Sequence, residues 1–211
     1  TPWAVWCCES LEDPTIGEFN TSWTQQHQDN GATIFTHQPT DKLKESPHIL
    51  SCACIDPDWV AQHIANKPPK TIDVLFNGTM TTYRKDWLTA IEKELPEGIK
   101  ITRSNSFGDQ MAQEIMAAKV VLNIHLGPNP NTETRVAEVM GLGTLLLTQP
   151  LSIASFENNC GVFSSPISAV WMINFALQQA ARSLSKQAQE DILQNHTFQY
   201  RCQEMLNVVF A

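Results

Sequence analysis

Arg135 and Glu138 stand three apart in the stretch Thr132–Met140, among Val136, Ala137, Val139 and Met140. On a helix that spacing puts both on one face. A solvated ion pair needs a polar face around it, and these neighbours leave almost none. Charges on a mostly buried helix next to a loop are better explained by a ligand than by solubility. A guanidinium matches phosphate oxygens, and a carboxylate matches sugar hydroxyls. Arg135 and Glu138 are therefore the expected catalytic pair. The loop before them holds His125, Asn129 and Asn131, broken by Gly127, Pro128 and Pro130. Asn131 is the expected N-cap of a helix starting at Thr132. The free N–H groups at such a start favour an anion.

A second group lies earlier. Asn77-Gly78-Thr79 follows an apolar run and precedes Arg84 and Lys85. A glycine there lets the backbone approach a ligand, and the basic pair adds charge for a diphosphate. Taken alone, the same residues read rather as a plain turn with a solvated basic pair. The expected ligand-binding set is Gly78, Thr79, Arg84, His125, Asn131 and Thr132. No second His or carboxylate stands at ligand spacing, so no protein-bound metal is expected. His196-Thr-x-x-x-Arg201 reads as a helix start, with Phe198, Cys202, Met205 and Leu206 packing on the core.

These groups need strands and helices to hold them. Apolar runs at 71–76, 99–103, 120–124 and 144–148 predict buried strands. Helical patterns at 82–95, 109–118 and 132–140 lie between them, a βαβ alternation that argues for a parallel sheet. Earlier, strands are expected at 2–8, 32–36 and 49–55, with helices at 15–29 and 58–65. Later, helices are expected at 167–184 and 186–209, the second interrupted near His196. Asn66-Lys-Pro-Pro-Lys70 is the expected linker, because two prolines favour an extended spacer.

The chain has 211 residues, 42% hydrophobic, with 14 basic and 22 acidic side chains and a formal charge of −8. That argues against a nucleic-acid binder, and no apolar run suits a transmembrane span. The six cysteines read as buried reduced thiols rather than a disulfide scaffold. The sequons at Asn20, Asn77 and Asn195 are taken as chance, since no secretory signal is visible, and a cytoplasmic location is expected.

The order of these features resembles a known family. The strand with Asn-Gly-Thr, then Lys119-Val-Val-Leu-Asn-Ile, the Arg135-x-x-Glu138 helix ending in Gly, the Leu-Leu-Leu-Thr strand and His196-Thr-x-x-x-Arg201 are together similar to the carboxyl-terminal half of GT-B glycosyltransferases. The resemblance is to the group-1 type that includes the spore-maturation (CgeB-like) proteins. It implies an α/β fold, a Rossmann-like parallel sheet with helices on both faces, and transfer of a sugar from a nucleotide-sugar such as a UDP- or GDP-sugar to a glycan, lipid or protein acceptor. It implies that Glu138 binds ribose or sugar, that Arg135 lies near the diphosphate, and that Gly78, Thr79 and Arg84 face the donor phosphates without a metal. On this reading residues 71–211 are the donor-binding domain. Residues 1–66 are the remnant of an incomplete amino-terminal acceptor-side domain, with Glu9 and His37 at its cleft. The Glu-x7-Glu pattern of many such enzymes would put an acid at Pro130. Its place is empty or taken by Glu133 or a loop asparagine, which leaves a non-catalytic nucleotide-sugar binding module as the alternative function.

Overall fold

A computed structural model of the chain describes residues 1–8, 11–12, 16–178 and 182–211, without the side chains of Arg182 and Ser183. Glu9 lies outside the described residues. The chain opens with β1 (Ala4–Cys7), α1 (Gly17–Asp29), β2 (Thr33–Thr36), β3 (His48–Ile49) and α2 (Pro57–Ile64). Then come β4 (Ile72–Asn77), α3 (Thr82–Glu94), β5 (Ile101–Ser104), α4 (Gly108–Ala117), β6 (Ala118–Asn123), α5 (Thr134–Gly141) and β7 (Leu145–Thr148). A 3-10 segment (Ala154–Asn159), β8 (Gly161–Val162), α6 (Pro166–Gln178), α7 (Arg182–Asn195) and α8 (Phe198–Val209) complete it.

The strands form two parallel sheets, β1-β2-β3 and β5-β4-β6-β7-β8. In the second sheet successive side chains take opposite faces. Leu75, Val121 and Leu146 point to one side, where α4 and α5 add Met111, Ile115, Met116, Val136 and Met140. Val74, Phe76, Val120, Leu122, Leu145 and Leu147 point to the other, against Leu88 and Ile91 of α3 and Ile173 of α6. Strands buried on both faces read as continuous apolar runs, which is why these were visible in the sequence. The fold is thus an α/β Rossmann-like one with helices on both faces.

The strand order puts the reversal of direction between β4 and β6. An open α/β sheet binds ligands beyond the carboxyl ends of its strands at such a point. The loops there are 78–81 and 124–133, the two that carry the sequence-derived site.

The chain then returns to its beginning. Thr197 caps α8 by accepting from Tyr200 N, and Ile55 bridges to Thr197. Arg201, 4% exposed, donates from Nε to Ser51 O at 3.2 Å and from Nη1 to Glu204 at 2.6 Å. Two expectations fail here. Phe198, Cys202 and Leu206 are exposed, so Arg201 rather than the apolar residues of α8 is what the helix buries. The run 49–55 is not one strand, because after β3 it turns at Cys52–Cys54 to meet α8. Of the expected helix at 167–184, α6 runs to Gln178 and α7 begins at Arg182, with residues 179–181 outside the described ones, and the break near His196 is present. None of the six cysteines is in a disulfide; Cys7, Cys52 and Cys54 are buried as expected, whereas Cys8 and Cys202 are exposed, against the expectation of six buried thiols. No helix among the described residues is long and apolar enough to cross a membrane.

Leu146, 1% exposed at the middle of β7, should be among the costliest truncations. Leu146→Ala is expected to lower unfolding free energy by about 2–5 kcal/mol in urea titration. Trp171→Ala, on the exposed side of α6, is expected to stay within about 0.5 kcal/mol.

Candidate functional site

The two loops at the reversal point are tied together by one side chain. Arg84, in the first turns of α3, is 5% exposed. Its Nε donates to Ile124 O at 2.8 Å and its Nη1 to Thr79 O at 2.9 Å. Nη2 lies 3.6 Å from Glu133, and the guanidinium stands over the Phe76 ring at 5.5 Å. Burial lowers its pKa, with Glu133 acting in the other direction. Thr81 caps α3 by accepting from Arg84 N and donates to Leu126 O at 3.1 Å, a second link between the loops. Gly78 makes room for this arrangement: a Cβ there would stand 3.2 Å from Arg84 Nη1, on a backbone at φ +157. The glycine serves the arginine, and the arginine serves two carbonyls. Thr79 and Lys85 are exposed.

His125 begins the second loop. Its N–H donates to Gln149 Oε1 at 2.8 Å, and Gln149 Nε2 donates to Tyr83 OH at 2.9 Å. His125 Nε2 lies 2.8 Å from Pro150 O. A carbonyl only accepts, so Nε2 carries the proton and Nδ1 is the acceptor. Burial lowers the His125 pKa, which keeps the ring neutral near pH 7. Thr132 is fully buried and its hydroxyl accepts from Ile153 N at 2.9 Å, while its carbonyl accepts from Cys52 Sγ at 3.5 Å. That contact brings the loop after β3 against the loop after β6. Asn129 is exposed.

Helix α5 starts later than expected. Glu133, not Asn131, is its N-cap residue, and it makes no side-chain cap bond. Asn131 lies two residues outside the helix, because Thr132 is held by Ser152 and Ile153 instead of entering it. Arg135 and Glu138 share one face as the spacing required, with Nε 3.5 Å from the carboxylate. Burial raises the Glu138 pKa, and Arg135 partly opposes this.

Buried polar atoms in folded proteins nearly always have partners. Here His125 Nδ1, Asn131 Oδ1, Glu133 Oε1, Arg135 Nη1 and Asn77 Oδ1 are buried without a protein partner. Four lie in a segment of eleven residues, and Asn77 ends the neighbouring strand β4. The structure thus collects His125, Asn131 and Arg135 from the sequence-derived set, with Glu138 beside Arg135. It turns Arg84 and Thr132 inward as supports. Asn77 and Gln149 were missed. Both are polar residues closing an apolar strand run, a signal that was present in the sequence. Among the described residues no group of three or more His, Cys, Asp or Glu side chains is placed to hold a metal ion.

Residues 61–207 match the glycosyl transferase-like family model. The chain belongs to that family. The matched residues run from within α2 through most of α8 and include the whole site. Among solved structures, HepE (Alr3699) of Anabaena, in complex with UDP and glucose, superposes with a TM-score of 0.67 and 11% sequence identity, over 100% of this chain and 72% of that one. At that identity the likeness is one of fold, and the fold is the GT-B type. No curated protein sequence matches the chain.

Glu138 gives a pH signature. Its folded-state pKa lies above the ordinary 4.5, so the native state holds that proton more tightly than the unfolded chain. Its contribution is lost as pH rises from 4.5 through the folded value, and the burial penalty is complete above it. Glu138→Gln is expected to raise Tm at pH 7–8 relative to the parent protein and to lose that advantage at pH 4, measured by calorimetry across the range.

Proposed function

We propose that this protein transfers a sugar from a nucleotide-sugar donor, a UDP- or GDP-sugar, to a hydroxyl-bearing glycan, lipid or protein acceptor. The observation that carries the reading is the cluster of unpartnered buried polar atoms at the carboxyl edge of β4 and β6. Four of its five atoms are drawn as acceptors and one, Arg135 Nη1, as a donor. Such a set suits a ligand with many hydroxyls and an anionic group. Family membership supports glycosyl transfer, and the complex of HepE with UDP and glucose supports this donor class.

In this reading the diphosphate meets Arg135 and the uncapped start of α5. Glu138 accepts from a ribose or sugar hydroxyl. His125 Nδ1 and Asn131 accept from others, with Gly78, Thr79, Arg84 and Thr132 holding the loops in shape. During transfer the bond from the anomeric carbon to the diphosphate breaks and its electron pair leaves with the diphosphate. An acceptor oxygen bonds to that carbon and gives up its proton to the departing diphosphate, from which it passes to solvent. The positive groups at α5 are set where the leaving charge develops, so they act most strongly in the transition state. No metal is required for that stabilisation. Residues 71–211 form the donor side and residues 1–66 the acceptor side, where His37 directly follows β2. A cytoplasmic location fits cysteines that stand as thiols, since thiols stay reduced there.

The test is isothermal titration with UDP-glucose and other UDP- and GDP-sugars, followed by a donor-hydrolysis assay. Binding at micromolar to millimolar concentration is expected, with Arg135→Ala and Glu138→Ala each weakening it about tenfold or more while the fold is kept. Turnover is expected to persist in excess EDTA. Absence of binding by every nucleotide-sugar at millimolar concentration would overturn the reading.

A further inference from the structure

Asn77 ends β4 one residue before Gly78 and is 6% exposed. Its Nδ2 donates to Ser106 Oγ at 2.7 Å. Ser106 Oγ donates to Glu114 Oε2 at 2.7 Å, and Gln110 Nε2 donates to Glu114 Oε1 at 2.9 Å. Ser104 Oγ points to Ser106 Oγ at 3.2 Å and accepts from Ser106 N. The direction of these bonds is fixed by chemistry. An ionised carboxylate only accepts, and a hydroxyl has one proton. Ser106 spends its proton on Glu114, so towards Asn77 it accepts. The group of Asn77 that faces it must then be the NH2. An amide oxygen and nitrogen have nearly the same shape, and only such a network tells them apart. The oxygen is therefore forced to the opposite side, where it is buried without a protein partner.

Burial alone would raise the Glu114 pKa, but the donors Ser104, Ser106, Gln110 and Asn77 outweigh it and leave the group below its ordinary value. Glu114 is thus charged wherever the protein works at neutral pH.

We propose that Glu114 is a positioning residue which, through Ser106, holds the Asn77 amide oxygen toward the donor pocket, so that the end of β4 selects a hydroxyl or N–H of the nucleotide-sugar and turns phosphate away. This rests on the donor-site reading above and changes its geography. A diphosphate carries acceptors only and would face the Asn77 oxygen acceptor to acceptor. With Arg84 committed to two carbonyls, the turn after β4 is a reader of hydrogen-bond donors, and the phosphates belong at Arg135 and α5.

Two measurements test it. The first needs no ligand: the side-chain amide of Asn77, assigned by its loss in Asn77→Asp, is followed in 15N-labelled protein. In Glu114→Gln the new amide can donate to Ser106, which frees the Ser106 proton for Asn77 and inverts or releases its amide. A changed Asn77 NH2 proton shift and faster exchange are expected; an unchanged resonance overturns the relay. The second is titration with UDP-glucose. Glu114→Gln and Asn77→Leu are each expected to weaken binding about tenfold, and the double variant no more than Asn77→Leu alone. Among UDP-glucose analogues that each lack one hydroxyl or carry an N3-methyl group, one should lose about tenfold against the parent protein and nothing against Asn77→Leu. Additive losses, or Glu114→Gln binding as tightly as the parent, overturn the selection. Failure of the parent protein to bind any nucleotide-sugar sinks the donor reading and the selection with it, while the amide spectrum still decides the relay.

Discussion

The candidate site depends on a buried cation. Arg84 is taken out of water with Glu133, at 3.6 Å, as its ion-pair partner and Arg135 as a like charge nearby. Desolvating a guanidinium costs several kcal/mol unless its donors are used. Arg84 uses them on Ile124 O and Thr79 O, the carbonyls where the chain leaves β6 and turns after β4. Both carbonyls lie beyond the β4–β6 ladder, which ends at Phe76↔Leu122. One planar group thus satisfies two loops at once and sets their spacing. A lysine has no fork to do this.

That arrangement divides labour among three arginines. Arg84 is enclosed by the fold and shapes the loops. Arg201 does the same between α8 and the segment after β3, giving Nε to Ser51 O and Nη1 to Glu204 of its own helix. Arg135 alone keeps a buried nitrogen without a protein partner. Sequence position and residue type do not separate these roles, because each arginine sits near a helix start. What separates them is whether a carbonyl from another part of the chain comes within reach.

Much of the second sheet was legible because parallel strands buried on both faces must be apolar throughout. Val74 to Phe76, Val120 to Leu122 and Leu145 to Leu147 satisfy that rule, and the helices between them follow. The Arg135–Glu138 face was legible for a related reason: charge has no place on a helix this apolar unless something uses it. The first sheet was less so. β3 is two residues long and both are exposed, so no pattern marks where it stops. Its continuation, 50–55, is apolar because it packs between α8 and the loop after β6, not because it is a strand. The true start of α5 was hidden too. Asn131 is the better cap by residue type, yet the Thr132 hydroxyl is claimed by Ile153 N and Ser152, residues twenty positions away. Local preference of about 1 kcal/mol yields readily to such tertiary bonds.

The displaced helix start matters for chemistry. With Glu133 at the cap position and not capping, the first N–H groups of α5 stay free for an anion, while a carboxylate stands at their mouth. An anionic ligand is favoured by the former and opposed by the latter. The conflict is eased by Arg84, whose guanidinium lies beside Glu133 and offsets its charge. Arg135 can then act on the ligand rather than on Glu133. The buried cation that spaces the loops therefore also offsets the carboxylate at the start of α5.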